Sequence, residues 1–443
     1  MPARRRVVIT GLGPISALGP GVEPLWTALD SGRTALGRIR RFDPSGFRCR
    51  IGGELPAEAF DVRSVVPKSY RKATKVMARD IELAVGAAAA AVADAGLATR
   101  GTDADAAPTI DPSRMGCHIG AGLIAAETDE LTSALATSRG ADGSFDIGDW
   151  GVNGMTKLTP LWMLKYLPNM LSCHVTIIHD CQGPSNTITC AEASSGLSLG
   201  ESMRVIERGD ADACLSGGAE SKLHLMGMLR QHFAERLVTE GDDAAQVAAV
   251  RPFDPETGGS ALGEGGGILV LEAAESAQAR GRTPIAELAG FAASQNECPD
   301  TVGLVPPPHG ASIAACIDHA LADAGVSAAD VDAIVPFGSG IAATDVAEAA
   351  AIRSVFGARA AAIPIMTVVP FVGNCCAGSG ALAAIVAAKA IHAQRLPARL
   401  NSVSTPGLDA VARPATDAVL RHVLVVSTSF GGQNAALVLR RST

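Results

Sequence analysis

Aromatic residues are scarce, 4% of 443, and charged residues supply only 19% with a formal net charge of −8. An acidic balance offers no broad basic face to neutralise a phosphate backbone, so nucleic acid is not expected as a partner. No membrane span is expected. The longest alanine-rich stretch, Ala84 to Ala95, is interrupted by Gly86 and Asp94. The opening Met1 to Arg6 is basic but runs into Val7-Val8-Ile9 and a glycine turn, so no secretory leader is expected and the cytoplasm is the default compartment. Paired cysteine spacing is also missing. Cys49, Cys117, Cys173, Cys181, Cys190, Cys214, Cys298, Cys316, Cys375 and Cys376 form no CxxC motif, which argues against a zinc site and for free, mostly buried thiols. Neither a metal nor a cofactor is implied. The vicinal pair Cys375-Cys376 reads as two small residues in a tight turn.

Glycine is plentiful, 48 residues, within a chain that is 47% hydrophobic. Small residues between elements let helices and strands pack closely, which suits a layered α/β protein. Short β-branched segments alternate with alanine-rich helical ones, a parallel βαβ grammar. Val7 to Gly13 and Met115 to Gly120 read as strands entering glycine turns, and Asp80 to Ala95 as a buried helix stopped by Gly96. Further on, Gly267 to Glu272 reads as a strand, Ala311 to Ala324 as an amphipathic helix and Asp332 to Pro336 as a strand. Leu424 to Ser427 and Ala436 to Leu439 read as paired closing strands. The same order recurs on both sides of residue 255, which predicts two similar halves, 1–255 and 256–443. Gly101 to Pro112 and Ser138 to Gly148 read as surface loops.

Arg251-Pro252-Phe253-Asp254, followed by Gly263-Glu264-Gly265 and a strand to Glu272, resembles the elongating β-ketoacyl-carrier-protein synthases. Other blocks agree in order: Val7 to Gly13, Thr159 to Ser185, Gly209 to Asp212, Ser216 to Glu220 and Phe430 to Asn434. The resemblance covers essentially the whole chain. It implies the thiolase fold, an αβαβα sandwich of two pseudo-duplicated halves that dimerises through the segment ahead of the nucleophile.

The family's chemistry uses a cysteine at a helix N-terminus, where the dipole favours a thiolate, and two histidines. Counting forward from Gly183-Pro184-Ser185 and backward from Gly209-Asp210 both put the cysteine's position at Glu192. Cys190 would need compensating slips and is not expected to be the nucleophile. The first histidine's position falls on Phe337, in Val335-Pro336-Phe337-Gly338-Ser339-Gly340 with Asp345 and Glu348 following. The second falls on Asn374, and a family lysine maps onto Val369. Phenylalanine cannot donate to a thioester oxygen, and an amide cannot shuttle a proton near neutral pH. Ordinary condensation is therefore not expected. Glu192 is expected either to plug the former oxyanion hole, formed in the family by its own N–H and that of Phe430 beside Gly431, or to stand as a relic bonded to any nearby donor.

The resemblance is nearest in character to the chain-length-factor subunit, the inactive partner in two-gene polyketide systems. It implies an active ketosynthase as heterodimer partner, or self as a homodimer, with Trp162, Met163, Tyr166 and Met170 closing an acyl tunnel or packing the interface. Lys68, Arg71, Lys72 and Lys75 lie where the family presents basic residues to an acidic acyl carrier protein; a solvated helix face is the plainer reading. The competing expectation is an acyltransferase, condensing or decarboxylating enzyme with an atypical site. His174, His179 and His309 read as structural.

Overall fold

A computed structural model describes residues 4–297 and 305–442; Cys298 lies outside the described residues. The backbone of its main sheet runs in the order Ala333–Val335, His422–Thr428, Gln433–Arg440, Ala286–Gln295, Val7–Ser16, Leu262–Ala273, Ala213–Ser221, Met115–Gly120, Ser185–Ile188. Val7–Ile9 against Ala286–Leu288 joins two half-sheets with the same grammar. On one side, Val7–Ser16 pairs antiparallel with Leu262–Ala273, which pairs antiparallel with Ala213–Ser221. Met115–Gly120 and Ser185–Ile188 then continue in parallel. On the other, Ala286–Gln295, Gln433–Arg440 and His422–Thr428 are successively antiparallel, and Ala333–Val335 continues in parallel to a bridge with Ile365.

Five layers follow from where the apolar faces meet. The helices Ser194–Glu207 and Ala-rich Ser379–Ala393 share one buried cluster with strands of both halves, so they form the middle layer. Outside one half lie Arg79–Ala95 and Met170–His179, and outside the other Ala311–Ala324 and Ala342–Phe356. This is the thiolase fold. The stretch Cys376–Ala393 is long and apolar enough by composition to cross a membrane, yet it is 78% buried as this central helix.

Glycine sets the spacing between layers, and it does so identically in the two halves. A Cβ on Gly11 would lie 2.4 Å from the Ala91 carbonyl oxygen of the outer helix; one on Gly290 would lie 2.4 Å from that of Ala320. Both outer helices end on a left-handed glycine, Gly96 (φ 66°) and Gly325 (φ 63°), which frees the chain to turn back without a Cβ clash.

Candidate functional site

The strand Ser185–Ile188 runs into a tight turn, Ala191–Ala193, that opens the central helix Ser194–Glu207. Ala191 holds φ 45°, a conformation that costs a non-glycine residue about 1–3 kcal/mol and persists only where its surroundings enforce it. Ser194 enforces it, accepting from the Cys190 N–H (2.8 Å) and donating to the Ala191 carbonyl (2.7 Å). The second half repeats the device: Cys376 has φ 46°, the turn is Cys376–Gly378 and the helix Ser379–Ala393 follows. Two strained elbows thus bring the helix N-termini together between the sheets. Glu192 sits on the first.

Glu192 is 1% exposed, and four donors surround its carboxylate. Oε1 accepts from Arg236 Nη2 at 2.7 Å and Asn374 Nδ2 at 3.2 Å; Oε2 accepts from the Phe430 backbone N–H at 2.9 Å. Burial opposes the charge, but the Arg236 guanidinium, the Phe430 N–H and the residue's own N–H outweigh it and hold the carboxyl below its ordinary range. Arg236 is itself buried, donates to Gln231 Oε1 at 3.2 Å and stacks its guanidinium 4.6 Å from the centroid of the Phe430 ring. The expected contact with the Phe430 N–H is present, and the counter-ion is a residue that no sequence motif marks.

Asn374 is locked as firmly. Its Oδ1 accepts from the Cys376 N–H (2.8 Å) and Ser379 Oγ (3.1 Å), which fixes the amide so that Nδ2 faces Glu192. Its backbone bridges to Ala261 and Gly263. Phe337 lies in a different setting, an apolar cluster with Leu262, Val369 and Cys376. The loop that carries it is held by two buried carboxylates. Glu348 accepts from the Phe337 and Gly338 N–H groups, and Asp345 from Ser339, Gly340 and Phe253. Burial pushes Asp345 up to about 6 and Glu348 up to about 8, against those N–H donors. The loop is therefore braced by acceptors, while the ring at its tip presents no donor to Glu192.

A β-ketoacyl synthase N-terminal domain model matches residues 4–277 and the C-terminal domain model matches residues 285–403. The chain belongs to the β-ketoacyl synthase family. It is 30% identical to 3-oxoacyl-[acyl-carrier-protein] synthase 2 of Staphylococcus aureus strain N315, over all of this chain and 99% of that one. The corresponding synthase of Coxiella burnetii is 31% identical over 99% of both. Among solved structures, the ishigamide ketosynthase/chain length factor aligns over the full length of both chains with a TM-score of 0.83 and 30% identity. A type II polyketide ketosynthase in complex with its acyl carrier protein, bound to a hexaketide, gives a TM-score of 0.83 at 26% identity, covering 99% of this chain and all of that one.

Within this synthase-family chain, a cavity of about 460 Å³ opens in front of Glu192, walled by Arg236, Phe430, Cys376, Leu123 and Pro168 among others. Glu220 and Lys222 pair in the same wall, and Glu220 accepts the Ala377 N–H at 2.8 Å. Burial pushes the thiols of Cys190, Cys375 and Cys376 all upward, away from the thiolate form. Gly431 takes φ 126° beside Phe430, a conformation that favours glycine.

The other residues singled out in the sequence lie apart from Glu192. Trp162, Tyr166 and Met170 pack against the outer cluster built on Arg79–Ala95, whereas Met163 is 54% exposed. Tyr166 donates to Glu130 Oε2 at 2.6 Å and lines a separate cavity of about 180 Å³ that also contains Asp80, Arg79 and Lys165. Lys68, Arg71, Lys72 and Lys75 are exposed along the turn Lys68–Val76. His174 and His179 are buried, bonded to Tyr70 and Thr99.

Proposed function

We propose that this chain is a non-condensing, chain-length-factor-like member of the family that pairs with an active ketosynthase in fatty-acid or polyketide synthesis. The observation that carries the reading is the saturation of Glu192. At the position of the family's nucleophile stands a buried carboxylate whose oxygens are taken by Arg236, Asn374 and Phe430. A group so engaged offers neither a free nucleophile nor an empty oxyanion hole. Phe337 and Asn374 at the histidine positions supply no general acid or base.

Pairing is supported by an apolar surface ahead of the elbow. Ile147, Val152, Met155, Leu161 and Met163 are exposed there, and among the described residues Ser185–Ile188 ends the sheet with one side unpaired. Exposed apolar patches and free strand edges are what partner chains cover. On this reading Trp162, Met163, Tyr166 and Met170 belong to the partner-facing segment. The exposed cations Lys68, Arg71, Lys72 and Lys75 suit an acidic carrier protein. The two halves, near 1–255 and 256–443, act as one scaffold.

The competing reading is an acyltransferase, condensing or decarboxylating enzyme with an atypical site, the first two of which would call on a nucleophile such as one of the thiols. Treatment with a thiol-directed ketosynthase inhibitor, followed by mass mapping, tests this. The expected result is no stoichiometric adduct at Cys190, Cys375 or Cys376 and no turnover of acyl- and malonyl-carrier protein. A single-site adduct accompanied by turnover refutes the proposal.

A further inference from the structure

We infer that Arg236 and Glu192 form a latch that clamps the Phe430 turn over the head of the 460 Å³ cavity and shuts an acyl thioester out of this chain's own site. The inference rests on the non-condensing reading and says how that site is kept shut. Glu192 alone could not hold the turn. Its carboxylate accepts the Phe430 N–H, but a buried carboxylate without a counter-ion is strongly disfavoured. Arg236 supplies the charge and makes a second contact with the same residue, its guanidinium against the Phe430 ring.

The contacts come from four places in the chain. Glu192 is on the first elbow, Asn374 precedes the second, Arg236 follows the helix Leu225–Phe233, and Phe430 lies between the strands His422–Thr428 and Gln433–Arg440. Those two strands are fully paired with each other, but the turn between them contains Gly431 and Gly432, both at positive φ (126° and 89°). The glycine side of that turn is anchored, Gln295 Nε2 donating to the Gly431 carbonyl at 2.9 Å and the Asn296 N–H to that of Gly432 at 2.7 Å, so the freedom to swing lies at the tip unless it too is tethered. The tip is Phe430, held at its N–H by Glu192 and at its ring by Arg236. Glu192, Arg236 and Phe430 all wall the cavity, and so does Cys376, which is 4% exposed. Cys376 is therefore a built-in reporter of whether the latch is closed.

The test measures alkylation of Cys376 by N-ethylmaleimide in a Cys375→Ser background, with amide hydrogen exchange across residues 429–432. The variants are Arg236→Met, and Arg236→Met combined with Glu192→Gln, which removes both charges and keeps the protein measurable if the single variant fails to fold. The expected result is at least tenfold faster alkylation and faster exchange in the turn, with exchange in His422–Thr428 and Gln433–Arg440 unchanged. Arg236→Lys, which keeps the charge and loses the planar stack, should fall between. Unchanged alkylation and exchange in a folded variant overturn the latch, as does faster exchange spread equally over the flanking strands. The two readings fail separately. Turnover by the wild-type chain would remove the non-condensing reading, whereas an inert chain with an indifferent Cys376 would remove only the latch.

Discussion

Arg236→Met is expected to destabilise the protein by about 3–5 kcal/mol, because it strands the Glu192 carboxylate in a site with almost no access to water. Adding Glu192→Gln should recover most of that loss. With a neutral amide in place of the carboxylate, no buried charge is left unpaired. A double-mutant cycle by denaturant unfolding measures the coupling, and residues in direct contact at 2.7 Å are where such cycles depart most from additivity. If Glu192 were a relic bonded only incidentally, Arg236→Met alone would cost no more than an ordinary buried truncation. The second variant would then restore nothing.

Glu192→Cys is expected to install a thiol at the family's nucleophile position without producing condensation. Activity should stay at least about 10⁴-fold below that of an intact ketosynthase, since two missing acid–base groups each contribute about two orders of magnitude or more and act as a unit. The structure adds a specific obstacle: Phe337 sits in an apolar cluster, and Asn374 is pinned by Cys376 and Ser379, so neither can move to substitute. Only Glu192→Cys with Phe337→His and Asn374→His together would rebuild the set, and Arg236 would then face a thiolate. Turnover of acyl- and malonyl-carrier protein, followed by mass spectrometry of the carrier, checks both variants. Appreciable turnover by the single variant would show that the chemistry resides elsewhere.

Much of the scaffold was legible because helix and strand signals are local. Ala311 to Ala324 is the helix the sequence predicts, and Asp80 to Ala95 misses only Arg79. The strand predicted over Gly267 to Glu272 in fact spans Leu262–Ala273, since its glycines disguise it. They are present for contact: a Cβ on Gly265 would lie 2.3 Å from the Ile15 carbonyl oxygen. Glu192 was legible through motifs that hold its place in the count. Arg236 was not, because it meets Glu192 across 44 residues and stands in no motif. Its one sequence signal is a lone cation between Phe233 and the apolar pair Leu237-Val238, a stretch that turns inward. The brace under Phe337 was half visible, since Asp345 and Glu348 were expected after it. That both are buried acceptors for loop N–H groups could come only from the fold.

The most direct test of the account is co-expression with an intact ketosynthase of the same family, followed by purification of the complex and assay of product length. The account predicts a one-to-one heterodimer whose turnover is abolished by replacing the partner's nucleophilic cysteine and survives replacement of Cys190, Cys375 and Cys376 in this chain, with product length shifting when Trp162 or Met163 is altered. Condensation by this chain as a homodimer, dependent on one of its own cysteines, would contradict it.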